Sequence, residues 1–286
     1  IPQLVVGLTI VAMGTSAPEA AVSISAALKG NAGITIGNVA GSNILNIFII
    51  LGLTAFLTKK IVPVASSTIK YEMPFMIVIM LILLCMGYVG NEIARLEGVG
   101  LWVVFLLYLF YLLKMAKKGA GSNLEDDEGE ILEKGGDKKE KSMAMLFLFT
   151  VVGLALIVIG SSVTVDAATA IARIIGLSER FIGLTIVALG TSLPELFTSV
   201  SAARKGSADI AIGNIVGSNI FNILFVVGTS ALITPVVFES KFIVDFIVAV
   251  AAGVLLWIFS FSGKSLNRVE GGLLLLGYLG YFIYLL

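Results

Sequence analysis

Histidine is absent from this 286-residue chain, and cysteine occurs once, at Cys85. The first absence excludes Ser-His hydrolysis, imidazole metal sites and imidazole proton relays together. The second excludes an intramolecular disulfide. Charge is scarce as well. Only 13% of residues are Asp, Glu, Lys or Arg, against about 25% in soluble domains, and the 19 basic and 19 acidic side chains cancel. A neutral chain is a poor partner for nucleic acid. Hydrophobic residues make up 58% of the chain and mean hydropathy is +1.04, more apolar surface than a water-soluble fold can bury. The composition is that of a membrane protein. The chain opens on Ile1 inside an apolar stretch with no charged segment or small-residue cleavage site before it, so no signal peptide is expected.

Apolar stretches of roughly 20 residues, long enough to cross a bilayer core of about 30 Å, recur along the sequence. They predict helices at 3–28, 34–58, 71–90, 98–116, 143–172, 178–203, 210–234, 241–261 and 268–286. Between the fourth and fifth lies 117–142, KKGAGSNLEDDEGEILEKGGDKKEKS, which is polar and glycine-punctuated and reads as a flexible aqueous loop. Its EDDEGE run lacks the alternating oxygen spacing of an EF-hand.

Residues 7–47 align without a gap to 183–223 at a constant offset of 176, with about two thirds of the positions identical. The chain is therefore two homologous halves. The first helices of the two repeats are five spans apart, so they run in opposite directions, an arrangement on which many secondary transporters are built. Five spans per half implies a tenth helix, preceding Ile1, in the full protein. The expected fold is an all-α polytopic membrane protein of two inverted repeats of five helices, nine of the ten visible. Its parts are 1–116, the charged loop 117–142, and 143–286. Of the 19 Lys and Arg, fourteen fall on the side of the long loop and five opposite (Lys29, Arg95, Arg173, Arg180, Lys241), which predicts a cytoplasmic loop in a plasma or inner membrane.

Glu19 and Glu195 each interrupt an otherwise apolar span at comparable depth, with no Lys or Arg in any apolar stretch to neutralise them. Intramembrane ionisable residues are costly and mark function. The alternative, protonated acids that merely tie helices together, is disfavoured because Ser, Thr or Asn do that at lower cost. In Gly14-Thr15-Ser16-Ala17-Pro18-Glu19 and Gly190-Thr191-Ser192-Leu193-Pro194-Glu195, the proline is expected to release the carbonyls of Gly14 and Gly190. The next helix of each half carries Gly37-Asn38, Gly41-Ser42-Asn43 and Asn46, matched by Gly213-Asn214, Gly217-Ser218-Asn219 and Asn222. Ser42 and Asn46 share one face, as do Ser218 and Asn222. An all-oxygen lining suits hard cations, whereas zinc or copper favours nitrogen or sulfur. Two carboxylates match one Ca2+ or two Na+, and overlapping ligands make the two ions compete.

The two GTS-x-PE and two G-S-N-x-x-N segments resemble the α-repeats of the cation/calcium exchanger superfamily, most closely its sodium/calcium exchanger branch. The resemblance implies an alternating-access antiporter moving Na+ in and Ca2+ out. It implies that Glu19, Glu195, Asn46 and Asn222 surround a central site, completed by Thr15, Ser16, Ser42, Thr191, Ser192, Ser218 and the carbonyls of Ala12 and Ala188. Some relatives carry aspartate where Asn222 stands, so this pocket is less acidic. Na+ and Ca2+ are expected as transported substrates and the lipid bilayer as partner, with no organic cofactor and no protein partner. Alternatives are proton/calcium exchange and a potassium-coupled variant. A cation channel fits two antiparallel copies in one chain less well, and an intramembrane hydrolase lacks an evident base. Glu72, Asp166 and Asp245 lie near span ends and read as structural, and Trp102 and Trp257 as interface anchors or lipid-facing packing.

Overall fold

The computed structural model describes residues 3–30, 32–58, 61–122 and 183–286, with isolated positions between 145 and 176. The described residues are mostly helical. In chain order they form α1 (Gln3–Thr15), α2 (Ala17–Leu28), α3 (Gly33–Leu57), α4 (Thr68–Gly90), α5 (Arg95–Lys117), α6 (Leu184–Thr191), α7 (Leu193–Arg204), α8 (Ala208–Ile233), α9 (Phe242–Gly263) and α10 (Arg268–Leu285). Among the described residues, α3, α4, α5, α8 and α9 are each long and apolar enough to cross a membrane, and counting each of the bent pairs α1–α2 and α6–α7 as one span gives up to seven. The expected span 143–172 lies outside the described residues apart from isolated positions, as does most of 117–142. The beginning of that expected loop is instead helical, because the helix of α5 continues to Ser122.

Burial separates the helices into a centre and a periphery. Within their apolar windows, α3 is 83% and α8 89% buried, against 39% for α4, 28% for α5 and 39% for α9. The residues that make α3 and α8 central are small. A Cβ at Gly217 on α8 would stand 2.8 Å from the Cβ of Ala12 on α1, and one at Gly41 on α3 would stand 2.8 Å from the Cβ of Ala188 on α6. Each repeat's central helix thus lies against the first helix of the other repeat at a spacing that only glycine permits.

Two short antiparallel strand pairs tie the helix ends. β1 (Val62–Pro63) pairs with β4 (Ser265–Leu266), and β2 (Glu92–Ile93) with β3 (Val236–Val237). Beside the first pair the Arg268 guanidinium donates to the Thr58 carbonyl at 3.3 Å, and Arg204 and Lys205 line a cleft with Thr58, Val62 and Pro63. Beside the second, Arg95 donates to the Ile233 carbonyl at 3.2 Å and Thr234 to the Ala27 carbonyl at 3.1 Å. Arg204, Lys205, Lys264 and Arg268 therefore gather beside the first strand pair, and Arg95 beside the second.

The peripheral acids are held by tyrosines: Tyr111 donates to Glu72 at 2.5 Å and Tyr281 to Asp245 at 2.9 Å. Trp102 and Trp257 are each hydrogen-bonded to a neighbouring helix. Trp102 Nε1–H donates to Thr229 at 3.1 Å, and Trp257 Nε1–H to the Ile69 carbonyl at 2.8 Å.

Candidate cation site

The site begins with two bends. The chain turns by 46° between α1 and α2 and by 53° between α6 and α7. Ser16 (φ −83°, ψ 10°) and Ser192 (φ −86°, ψ 6°) occupy the corners. Pro18 and Pro194 sit in the first turn of the helix that follows, where a missing N–H costs nothing. Having no N–H, they leave the carbonyls of Gly14 and Gly190 without the donor four residues on that a continuous helix would supply. The N–H of the corner serine lies toward these carbonyls but donates to Ala12 or Ala188 at 3.0 Å.

The corners place each serine against the acid of the other half. Ser16 Oγ donates to Glu195 Oε1 at 2.7 Å, and Ser192 Oγ to Glu19 Oε1 at 2.9 Å. The same two oxygens accept a longer bond from the central helix of their own half, Ser42 to Glu19 at 3.3 Å and Ser218 to Glu195 at 3.3 Å. Both glutamates are fully buried, and no Lys or Arg is buried among the described residues. The amides of Asn38 and Asn214 hold the acidic helices down. Asn38 Nδ2 donates to the Glu19 carbonyl at 3.1 Å and to Ser23 at 2.9 Å, while Asn214 Nδ2 donates to the Glu195 carbonyl at 3.5 Å and to Ser199 at 3.0 Å.

A set of oxygens is left over. Glu19 Oε2, Glu195 Oε2, Asn46 Oδ1 and Asn222 Oδ1 are all buried with no hydrogen-bond partner. An unsatisfied buried acceptor costs about 1–3 kcal/mol, more when charged, so four of them in two matched pairs suit a ligand that supplies positive charge and no lone pairs. A hard cation does this. No group of three or more His, Cys, Asp or Glu that could hold a metal ion occurs among the described residues.

Asn46 and Asn222 also mark a change of helical pitch. Both open a stretch of π-helix, Asn46–Leu51 within α3 and Asn222–Val227 within α8. Further π-helical turns precede the bends, at Gly7–Val11 and Gly183–Val187. Such wide turns concentrate at functional sites, and here they re-aim residues that a 3.6-residue period would place on another face.

The remaining expected residues are all buried around these bends. Thr15 donates to Asn214 Oδ1 at 3.0 Å and Thr191 to the Ala188 carbonyl at 3.2 Å. The carbonyls of Ala12 and Ala188 each accept the N–H of the corner serine at 3.0 Å, and Ala12 also accepts from Ser218 at 3.3 Å. Sequence reasoning assigned no role to Asn43 and Asn219, although both stand inside the duplicated motif. Asn46 Nδ2 donates to Asn219 Oδ1 at 2.9 Å and Asn222 Nδ2 to Asn43 Oδ1 at 3.1 Å.

Comparison with known proteins shows the family. The profile of the sodium/calcium exchanger protein family matches residues 1–114 and 145–286. The chain is 40% identical to a putative antiporter, CaxA, of Alkalimonas amylolytica, over 98% of this chain and 87% of that one. It is 33% identical to the sodium/calcium exchanger MaX1 of Methanosarcina acetivorans, over 100% of this chain and 89% of that one. Its fold matches the crystal structure of the sodium–calcium exchanger NCX_Mj with a TM-score of 0.77 and 29% identity, covering 98% of this chain and 85% of the other. The chain belongs to the sodium/calcium exchanger family.

Proposed function

We propose that this protein is a secondary antiporter that extrudes Ca2+ in exchange for Na+ by alternating access, from two inverted repeats of five helices with the 117–142 loop in the cytoplasm. The observation that carries the reading is the set of four buried, unpartnered oxygens, one carboxylate and one amide from each half. With the hydroxyls and carbonyls beside them they approach the about six to eight oxygens that Ca2+ takes. The reciprocal serine–glutamate bonds support inverted repeats, since each contact recurs with the halves exchanged.

Na+ as the counter-ion follows from the neutral ligands. A proton needs only the carboxylates, whereas Thr15, Ser16, Ser42, Thr191, Ser192, Ser218 and the Ala12 and Ala188 carbonyls offer Na+ full coordination. With asparagine at both 46 and 222, two carboxylates balance one Ca2+ or two Na+, and any further Na+ makes the cycle electrogenic. The ions compete for shared ligands, so exchange results if the empty, charged cavity resists reorientation.

Ca2+ uptake into inside-out vesicles, driven by a Na+ gradient at clamped pH, tests the proposal. Uptake that follows the Na+ gradient and stops without it supports antiport. Uptake that follows only a pH gradient makes the protein a proton/calcium exchanger, dependence on added K+ makes it a potassium-coupled one, and flux without any counter-ion makes it a channel.

A further inference from the structure

The two asparagines that face one another across the halves, Asn43 and Asn219, do not point free atoms at the site, yet they determine which atom their neighbours present to it. A backbone carbonyl only accepts hydrogen bonds. Asn43 donates its Nδ2 to the carbonyl of Asn219 at 3.4 Å, which sets the NH2 end of its amide. Its Oδ1 must then face the other way, where it accepts from Asn222 Nδ2 at 3.1 Å. That bond uses the NH2 end of Asn222 and leaves Asn222 Oδ1 as one of the four unpartnered oxygens. The mirror chain runs from the carbonyl of Asn43 through Asn219 Nδ2 at 3.4 Å, and from Asn219 Oδ1 to Asn46 Nδ2 at 2.9 Å, leaving Asn46 Oδ1 free. Asn219 Nδ2 also touches Met76 Sδ at 3.6 Å, and all four amides are buried.

We infer that Asn43 and Asn219 are positioning residues that lock the amides of Asn222 and Asn46 with oxygen, not NH2, toward the cation, each half orienting the ligand of the other. This rests on the site reading above. The physical need is plain. An asparagine amide is nearly symmetric in shape, and a half-turn about its last bond exchanges an attractive oxygen for two positively polarised hydrogens. Packing distinguishes the two ends poorly, whereas a chain of hydrogen bonds anchored on a backbone carbonyl distinguishes them fully. Partners that orient a metal ligand are worth roughly 10- to 100-fold in affinity.

The test measures equilibrium Ca2+ binding to the purified full chain in lipid nanodiscs, with thermal melting to confirm folding. Asn43→Leu, close in size, is expected to weaken Ca2+ binding about tenfold. In an Asn222→Asp background the same change is expected to cost less than about twofold, because a carboxylate carries oxygen at both ends and needs no orientation. In an Asn46→Asp background, whose amide is oriented by Asn219, the tenfold cost persists. The reciprocal pattern is expected for Asn219→Leu, whose cost disappears with Asn46→Asp, and either arm suffices if one leucine variant fails to fold. An equal penalty in every background, or none in the parent, overturns the inference. Glu19→Gln and Glu195→Gln distinguish the two levels: Ca2+ binding that survives them removes the site reading and the lock with it, whereas binding lost in them beside a background-independent penalty removes the lock alone.

Discussion

Ser16 lies in the first half of the chain and Glu195 in the second, and the serine hydroxyl donates to the carboxylate at 2.7 Å. The halves are therefore joined at the acids themselves, since the reciprocal bond from Ser192 to Glu19 is 2.9 Å. Each acid is held by one serine of its own repeat and one of the other.

Removing the negative charge of either acid while keeping its shape is expected to abolish Ca2+ transport. Glu19→Gln and Glu195→Gln each leave one carboxylate against a divalent ion, and a loss of at least about 100-fold, roughly 2.7 kcal/mol, is expected in the half-saturating Ca2+ concentration. Reconstituted flux with a melting curve on the same sample checks it. Near-normal flux in a folded variant would refute the role.

Ser16→Ala and Ser192→Ala each remove one charge-assisted hydrogen bond of about 1.5–3 kcal/mol. Equivalent placement of the two serines predicts similar losses of Ca2+ affinity for the two variants. A large loss at one position and none at the other would show that the halves contribute unequally.

Gly217→Val tests the close approach of α8 to α1. A Cβ there meets the Ala12 Cβ and the Leu8 carbonyl at 2.8 Å, so the backbones must separate and the site must widen. Destabilisation of about 1–3 kcal/mol is expected from overpacking, with transport lost. Gly272→Ala is the control, as nothing lies within 4 Å of its Cβ position, and its melting temperature is expected to stay or rise.

Asn267 caps α10 by accepting from the N–H groups of Val269 and Glu270, and Glu270 returns a bond to the Asn267 N–H at 2.8 Å. Loss of this reciprocal cap in Asn267→Ala is expected to cost about 1 kcal/mol. A lower melting temperature with an unchanged half-saturating Ca2+ concentration checks it, because the cap lies at a helix end and touches none of the site residues.

Much of this molecule was legible from residue order, and the reasons are particular. Glu19 and Glu195 were conspicuous because an ionisable group in an apolar span has no inexpensive structural use. Duplication then distinguished the Gly-Ser-Asn motifs from ordinary helix packing. The bends were half legible: proline marked their location, but no one-dimensional reading shows that the corner serines reach the acid of the opposite half. The π-helical turns at Asn46 and Asn222 were invisible, since a pattern read at 3.6 residues per turn assumes the pitch it seeks to find. Asn43 and Asn219 were passed over because their partners are each other, 176 positions apart, and sequence spacing carries no information about such a contact.

The sequence by itself determined that the chain is a membrane protein, that it is two copies of one design, and that each copy carries an acid within its GTS-x-PE segment. These follow from composition and repetition, which are additive properties of residues in order. Tertiary structure alone decided that each serine serves the opposite acid, that each central helix lies on the other half's first helix, and which oxygen of each amide is left free. Those are properties of pairs across a fold, and only the close packing of small residues along α3 and α8 brings the members of each pair within hydrogen-bonding distance.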